Sequence, residues 1–146
     1  MPKLTLKFKI VTPEKTVFEE QVEQATLMTG NGQITILPNH INYIANLIPG
    51  EAMIKKDGKE TYLSISGGFI EFNSNALTVL ADTAERADEI DLVRAKEARK
   101  KAEELKNQTI SINEEEYARV AAAIQKESAR INVARKHHTK KGLKME

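Results

Sequence analysis

The chain has 146 residues, 40% apolar content and a formal net charge of +1, which fits one folded domain or a compact domain with an appendage. Those values exclude global disorder and argue against a nucleic-acid binder held by bulk charge. Without cysteine there is no disulfide framework and no thiol chemistry, in keeping with a reducing compartment.

The opening "MPKLTLKFKIVTPEK" alternates apolar and basic residues, so it is expected to be neither a signal peptide nor a membrane span. Leu4, Leu6, Phe8 and Ile10 instead alternate with Thr5, Lys7 and Lys9, the pattern of a half-buried strand. Further short strands are predicted at "KTVFE", "VEQATLMT", "QITIL", "INYIANLI", "EAMIKK", "ETYLSIS", "GFIEF" and "ALTVLA". Between two of them, "KDGK" (56–59) supplies an Asp-Gly pair suited to a type I′ hairpin turn. Gly67-Gly68 reads as a bend or bulge rather than a ligand loop. No stretch before Ala84 needs to be a helix. Many short strands at regular spacing predict an antiparallel β-sandwich.

All four prolines and six of the seven glycines lie before residue 69. Strands joined by turns need these residues and long helices exclude them, so the composition marks a boundary. Beyond it the period becomes helical. Asp88 is expected to cap a first helix whose thin apolar stripe is Ala95, Ala98, Ala102 and Leu105. "NQTISIN" interrupts the pattern, and Asn113 with Glu116 starts a second helix in the manner of a capping box. Tyr117, Val120, Ala121, Ile124, Ser128 and Ile131 share its apolar face. The fold class predicted is therefore α+β: a sandwich over 1–86, then a two-helix antiparallel hairpin with a basic tail over 87–146. An alanine-lined seam stabilises less than a leucine-lined one, so the hairpin is either a conformational switch or a statically packed appendage. The chain is net −2 up to Ala84 and +3 beyond it, with much of the excess in "RKHHTKKGLK", which reads as a solvated terminus.

No phosphate loop, dinucleotide fingerprint or H-E-x-x-H motif is present. His137 and His138 are adjacent, a poor spacing for metal ligands in a helix or strand. His40 follows "LPN" in a loop between strands, either as an ordinary exposed side chain or as a contact point for a partner. Asp91 and Arg94 lie one helical turn apart. As an intrahelical ion pair they stabilise by only ~0.3 kcal/mol. A hairpin centred near residue 110 also brings Arg130 towards them, and two arginines with an acid suit a phosphate and a base or ribose group.

"LPNH" (37–40), "SGGF" (66–69), "LADTAERADEID" (80–91) and "IDLVRA" (90–95) together closely resemble the epsilon subunit of bacterial F-type ATP synthases, and the resemblance covers essentially the whole chain. It implies a non-catalytic subunit of the rotating central stalk, needing no cofactor. The sandwich is then packed on the gamma subunit and touches the membrane rotor ring through Pro38, Asn39 and His40. The hairpin either folds against the sandwich or extends along gamma to the catalytic alpha/beta head and blocks ATP hydrolysis. The complex translocates protons or sodium ions. The chain itself sits peripherally on the cytoplasmic face of the cell membrane, touching it only through partner subunits.

Several members of that family bind ATP as a regulatory ligand through an I/L-D-x-x-R-A motif, which Ile90, Asp91, Arg94 and Ala95 match. Glu85 and Arg130 fall where the resemblance places further contacts. Lys101 and Lys126 stand where the best nucleotide binders have arginine, which keeps the charge but loses the planar fork. The rotor-facing loop departs as well, with Gln33 where an acid is common and "INY" after His40 where Ala-Pro or similar is usual. A free-standing cytosolic ATP-sensing protein is the alternative, and co-purification with a gamma partner from membranes separates the two.

Overall fold

The computed structural model describes residues 3–108 and 113–140, with backbone alone at 108 and 138–140. The connection between the helices and the end of the basic tail lie outside the described residues. The strands are β1 (Leu6–Val11), β2 (Thr16–Val22), β3 (Gln24–Thr29), β4 (Gly32–Ile36), β5 (Tyr43–Leu47), β6 (Gly50–Lys56), β7 (Lys59–Ile65), β8 (Gly68–Asn73), β9 (Ala76–Ala81) and β10 (Ala84–Arg86). A 3-10 turn (Ala87–Glu89), α1 (Leu92–Gln108) and α2 (Glu114–Lys140) follow. No helix among the described residues is long and apolar enough to cross a membrane.

Alternation drives the strands. Leu6, Phe8 and Ile10 of β1 are fully buried, whereas Leu4, expected to continue their row, precedes the strand and is exposed. The hydrogen-bonded order is β10-β7-β6-β3-β5-β8-β9-β1-β2, with β4 added to β3. The sheet turns its corner at β3: Gln24–Thr26 pair with β6, while Thr29 reaches Leu47 of β5. One strand shared between two layers closes the sandwich without a separate edge at that corner. The inward residues interdigitate, with Phe8, Ile10, Ile70, Phe72, Leu77 and Val79 meeting Leu27, Ile54, Leu63 and Ile65.

The sandwich is not wholly antiparallel. β1 and β9 run parallel, Lys7 opposite Ala76 through to Val11 opposite Leu80. Parallel neighbours need a long crossover, and the chain between these strands builds the rest of the sandwich. The expected Asp-Gly hairpin is present: Asp57 (φ 51°) and Gly58 (φ 74°) both take the left-handed conformation between β6 and β7. Gly68 serves close packing. A Cβ there would lie 2.0 Å from the Leu80 carbonyl oxygen.

α1 and α2 run antiparallel, with Leu92 against the Val133–Ala134 end of α2 and Lys106 over the Tyr117 ring at the other end. Ala95, Ala98 and Ala102 line α1's inner face as the period predicts, but Leu105 is half exposed. Each buried alanine methyl contributes only about 0.8 kcal/mol, so this seam is thin. Of the predicted α2 stripe, Val120, Ala121, Ile124 and Ser128 are half-buried and Ile131 is buried. Tyr117 is exposed and the buried positions are Glu127, Ala129, Ile131, Val133 and Ala134, because the far half of α2 lies on β6, β7 and the 3-10 turn.

Candidate functional site

The segment from β10 to the start of α1 was expected to be helical from Asp88. The chain instead adds a tenth strand. Ala84–Arg86 pair with Leu63–Ile65 of β7, which places Glu85 on the sheet opposite Ser64. The 3-10 turn then holds Asp88, and Ile90 is extended. Asp91, not Asp88, caps α1: its Oδ1 accepts the Arg94 amide at 3.1 Å and its carbonyl accepts the Ala95 amide at 3.0 Å. The turn ends the 3-10 geometry before the α-helix begins, which moves the cap three residues along.

Each residue of I-D-x-x-R-A therefore has a local role. Ile90 is buried with Ala87, Val133 and Ala134. Asp91 caps, Ala95 is fully buried, and the exposed Arg94 guanidinium has no ion-pair partner among the described residues.

Arg130 sits elsewhere in charge terms. Its Nε donates to Glu85 Oε2 and its Nη1 to Glu127 Oε2, both at 2.7 Å. Burial by itself disfavours the charged guanidinium, but the bonds to Glu127 and Glu85 outweigh it and hold the pKa above the usual arginine value. Arg130 thus forms its ion pairs with these two acids, not with Asp91. The cleft of about 360 Å³ next to Glu85 is lined by Glu14, Asp82, Glu85 and Glu89 against one base, Lys15. Its acidic wall is poorly matched to polyphosphate. No group of three metal-ligating side chains occurs among the described residues.

The second predicted site, Pro38-Asn39-His40, links β4 to β5. Asn39 takes a left-handed φ of 63° and its amide donates to Asn75 Oδ1 at 2.8 Å; Asn75 in turn donates to the Thr5 carbonyl. His40 is half-buried, its ring edge-on to Tyr43 and Phe72, and its Nδ1–H donates to the Ile41 carbonyl at 2.7 Å. It is neither a fully exposed loop side chain nor a free one. The loop is tied down by these hydrogen bonds and presents Leu37 and Ile41 to solvent.

A third feature went unread in the sequence. Ile44 (74% exposed), Phe69 (56%) and Leu80 (55%) point outward from β5, β8 and β9. Phe69 pairs directly with Leu80, and Ile44 is its diagonal neighbour across β5, whose Asn46 is Phe69's partner. The signal was available: in "GFIEF" and "ALTVLA", Phe69 and Leu80 are large apolar residues out of phase with the buried row.

Comparison with known proteins agrees with this architecture. Residues 5–87, more than half of the chain, match the family model described as ATP synthase, Delta/Epsilon chain, beta-sandwich domain. The ATP synthase epsilon chain of Levilactobacillus brevis is 40% identical over 131 residues, covering 89% of this chain and 94% of that one. That of Nitratidesulfovibrio vulgaris is 40% identical over 130 residues, covering 88% and 95%. A chain in the Euglena gracilis mitochondrial ATP synthase structure (OSCP/F1/c-ring, rotational state 1) superposes with a TM-score of 0.74 at 21% identity, over 92% of this chain and 82% of that one. One in the Tetrahymena thermophila mitochondrial ATP synthase central stalk/c-ring gives 0.54 at 12%, over 94% and 98%. At those identities the structures share the fold. A β-sandwich with a two-helix appendage is the architecture in question, and the chain belongs to the ATP synthase epsilon-chain family.

Proposed function

We propose that this chain is the central-stalk epsilon subunit of a bacterial F-type ATP synthase, leaving catalysis to other subunits and acting by contact. It couples gamma to the membrane rotor ring, and its hairpin restrains ATP hydrolysis when it extends to the catalytic head. The observation that carries the coupling role is the outward row Ile44–Phe69–Leu80. Large apolar side chains adjacent on one solvent face mark a protein-binding surface, and here they would meet gamma. The Pro38–His40 loop leads into β5, which carries Ile44, and is flanked by the exposed Leu37 and Ile41, which suits contact with a second rotor partner. In this reading the chain is peripheral on the cytoplasmic face of the membrane.

The division proposed is a sandwich over 1–86 and a hairpin over 87–146. ATP is proposed as a regulatory ligand of the folded hairpin. Arg94 is exposed for phosphate, and Arg130 would exchange a carboxylate for one. Co-purification tests the coupling role: the native chain should bring gamma with it from membranes, and Phe69→Asp with Leu80→Asp should come out alone. Retention of gamma by the double variant would remove that row as the gamma-binding face, and solubility of the native chain without a partner would favour the free-standing sensor.

A further inference from the structure

α2 meets the sandwich through two kinds of contact. One is a small apolar cluster of Ala87, Ile90, Val133 and Ala134, with Tyr62 and Leu92 at its margin. The other is charged. Arg130 bridges Glu85 of β10 and Glu127 of its own helix, and six residues on, Lys136 pairs with Glu51 of β6 at 2.6 Å while lying over the Tyr62 ring at 5.2 Å. The basic segment predicted to be a solvated tail therefore contains a docking residue, Lys136.

The two ion pairs are not equivalent. Lys136 is half exposed, where such pairs contribute little. The Arg130 side chain is 16% exposed, and its partners Glu85 and Glu127 are 38% and 12% exposed. Glu127, one turn before Arg130, aims the guanidinium at Glu85 and supplies its second acceptor. If α2 left the sandwich, Glu127 would travel with Arg130 and Glu85 would stay on β10. The bond between Arg130 and Glu85 is thus a charged contact that hairpin release must break, as is Lys136–Glu51. Two acids around one guanidinium leave the group net negative, so it has no need of a phosphate to be satisfied.

We infer that Arg130 and Glu85 form a clasp that holds the hairpin on the sandwich without any nucleotide, with Glu127 positioning the arginine and Lys136–Glu51 as a weaker second point. It rests on the reading above only in taking the docked hairpin as a state the protein must be able to leave. Nucleotide would compete with Glu85 for Arg130, so the clasp and the ligand share one guanidinium.

Hydrogen exchange of the intact chain without nucleotide tests this. Loss of a charge-assisted, part-buried bond corresponds to roughly tenfold in an opening equilibrium. Glu85→Gln should speed exchange of α2 amides over 127–137 by about that factor and leave β1 and β9 unchanged, while Glu51→Gln should change α2 less than about twofold. In the native chain the Arg130 Nε–H should itself exchange slowly, and that protection should vanish in Glu85→Gln. Unchanged α2 exchange in Glu85→Gln, equal acceleration in β1 and β9, or an equal effect of Glu51→Gln would each overturn the clasp. With neither ATP nor gamma present, these results do not depend on either of those proposals.

Discussion

Arg94 meets Asp91 through its backbone: the Arg94 amide donates to Asp91 Oδ1 at 3.1 Å, which leaves the guanidinium in solvent. What looked like an ion pair is a helix cap. Asp91→Ala should therefore destabilise α1 by about 1 kcal/mol, whereas Asp91→Asn, which keeps an acceptor, should be close to neutral. Exchange rates of α1 amides in the two variants check this. Equal loss in both would mean that the negative charge at the helix start matters more than the cap bond.

Gly68→Ala tests the packing of β8 on β9. The added Cβ would meet the Leu80 carbonyl oxygen at 2.0 Å, and the φ of 133° is one that L side chains rarely adopt. The two strands must separate locally, so a loss of more than about 1 kcal/mol is expected in denaturant unfolding. Gly30→Ala, with open space around the new Cβ, is the matched control and should cost less.

Glu23 offers a pH-dependent test. Its hydrogen bond from Lys3 at 3.1 Å, aided by the Asp57 amide at 2.8 Å, holds its carboxyl below the ordinary glutamate value of 4.5. A depressed folded-state pKa means that the contribution to stability is complete above the unfolded value and disappears as pH falls through the folded one. Carboxyl titration by NMR should place Glu23 below ordinary glutamates, and Lys3→Ala should move it back towards them. The same midpoint in both proteins would remove Lys3 as the cause.

Much of the sandwich was legible because one period of two places Leu6, Phe8 and Ile10, or Ile70 and Phe72, on a single face. The Asp57-Gly58 turn was legible for the same local reason. β10 was not: "AER" is too short for alternation and is held by pairing with β7, Ala84 with Ile65 through to Arg86 with Leu63. That miss left Glu85 without a strand position and hid its contact with Arg130. The cap moved because the 3-10 turn is local geometry that composition does not mark. Ile44, Phe69 and Leu80 favour a strand on either face, so their outward placement is set by register and not by residue type.

The sandwich is expected to fold without the hairpin, since its core draws only on residues before Arg86. A fragment of residues 1–86 should give a β-type circular-dichroism spectrum and a cooperative thermal transition. An unfolded spectrum would rule out the two-part division.

ATP hydrolysis by the assembled enzyme carrying this chain without residues 87–146 is the most direct test of the proposed function. Assembly should be intact, because the Ile44–Phe69–Leu80 row remains, and hydrolysis should rise above that of the enzyme with the full chain. An unchanged rate in a fully assembled complex would contradict the restraint exerted by the hairpin, and failure to assemble would contradict docking through the sandwich face.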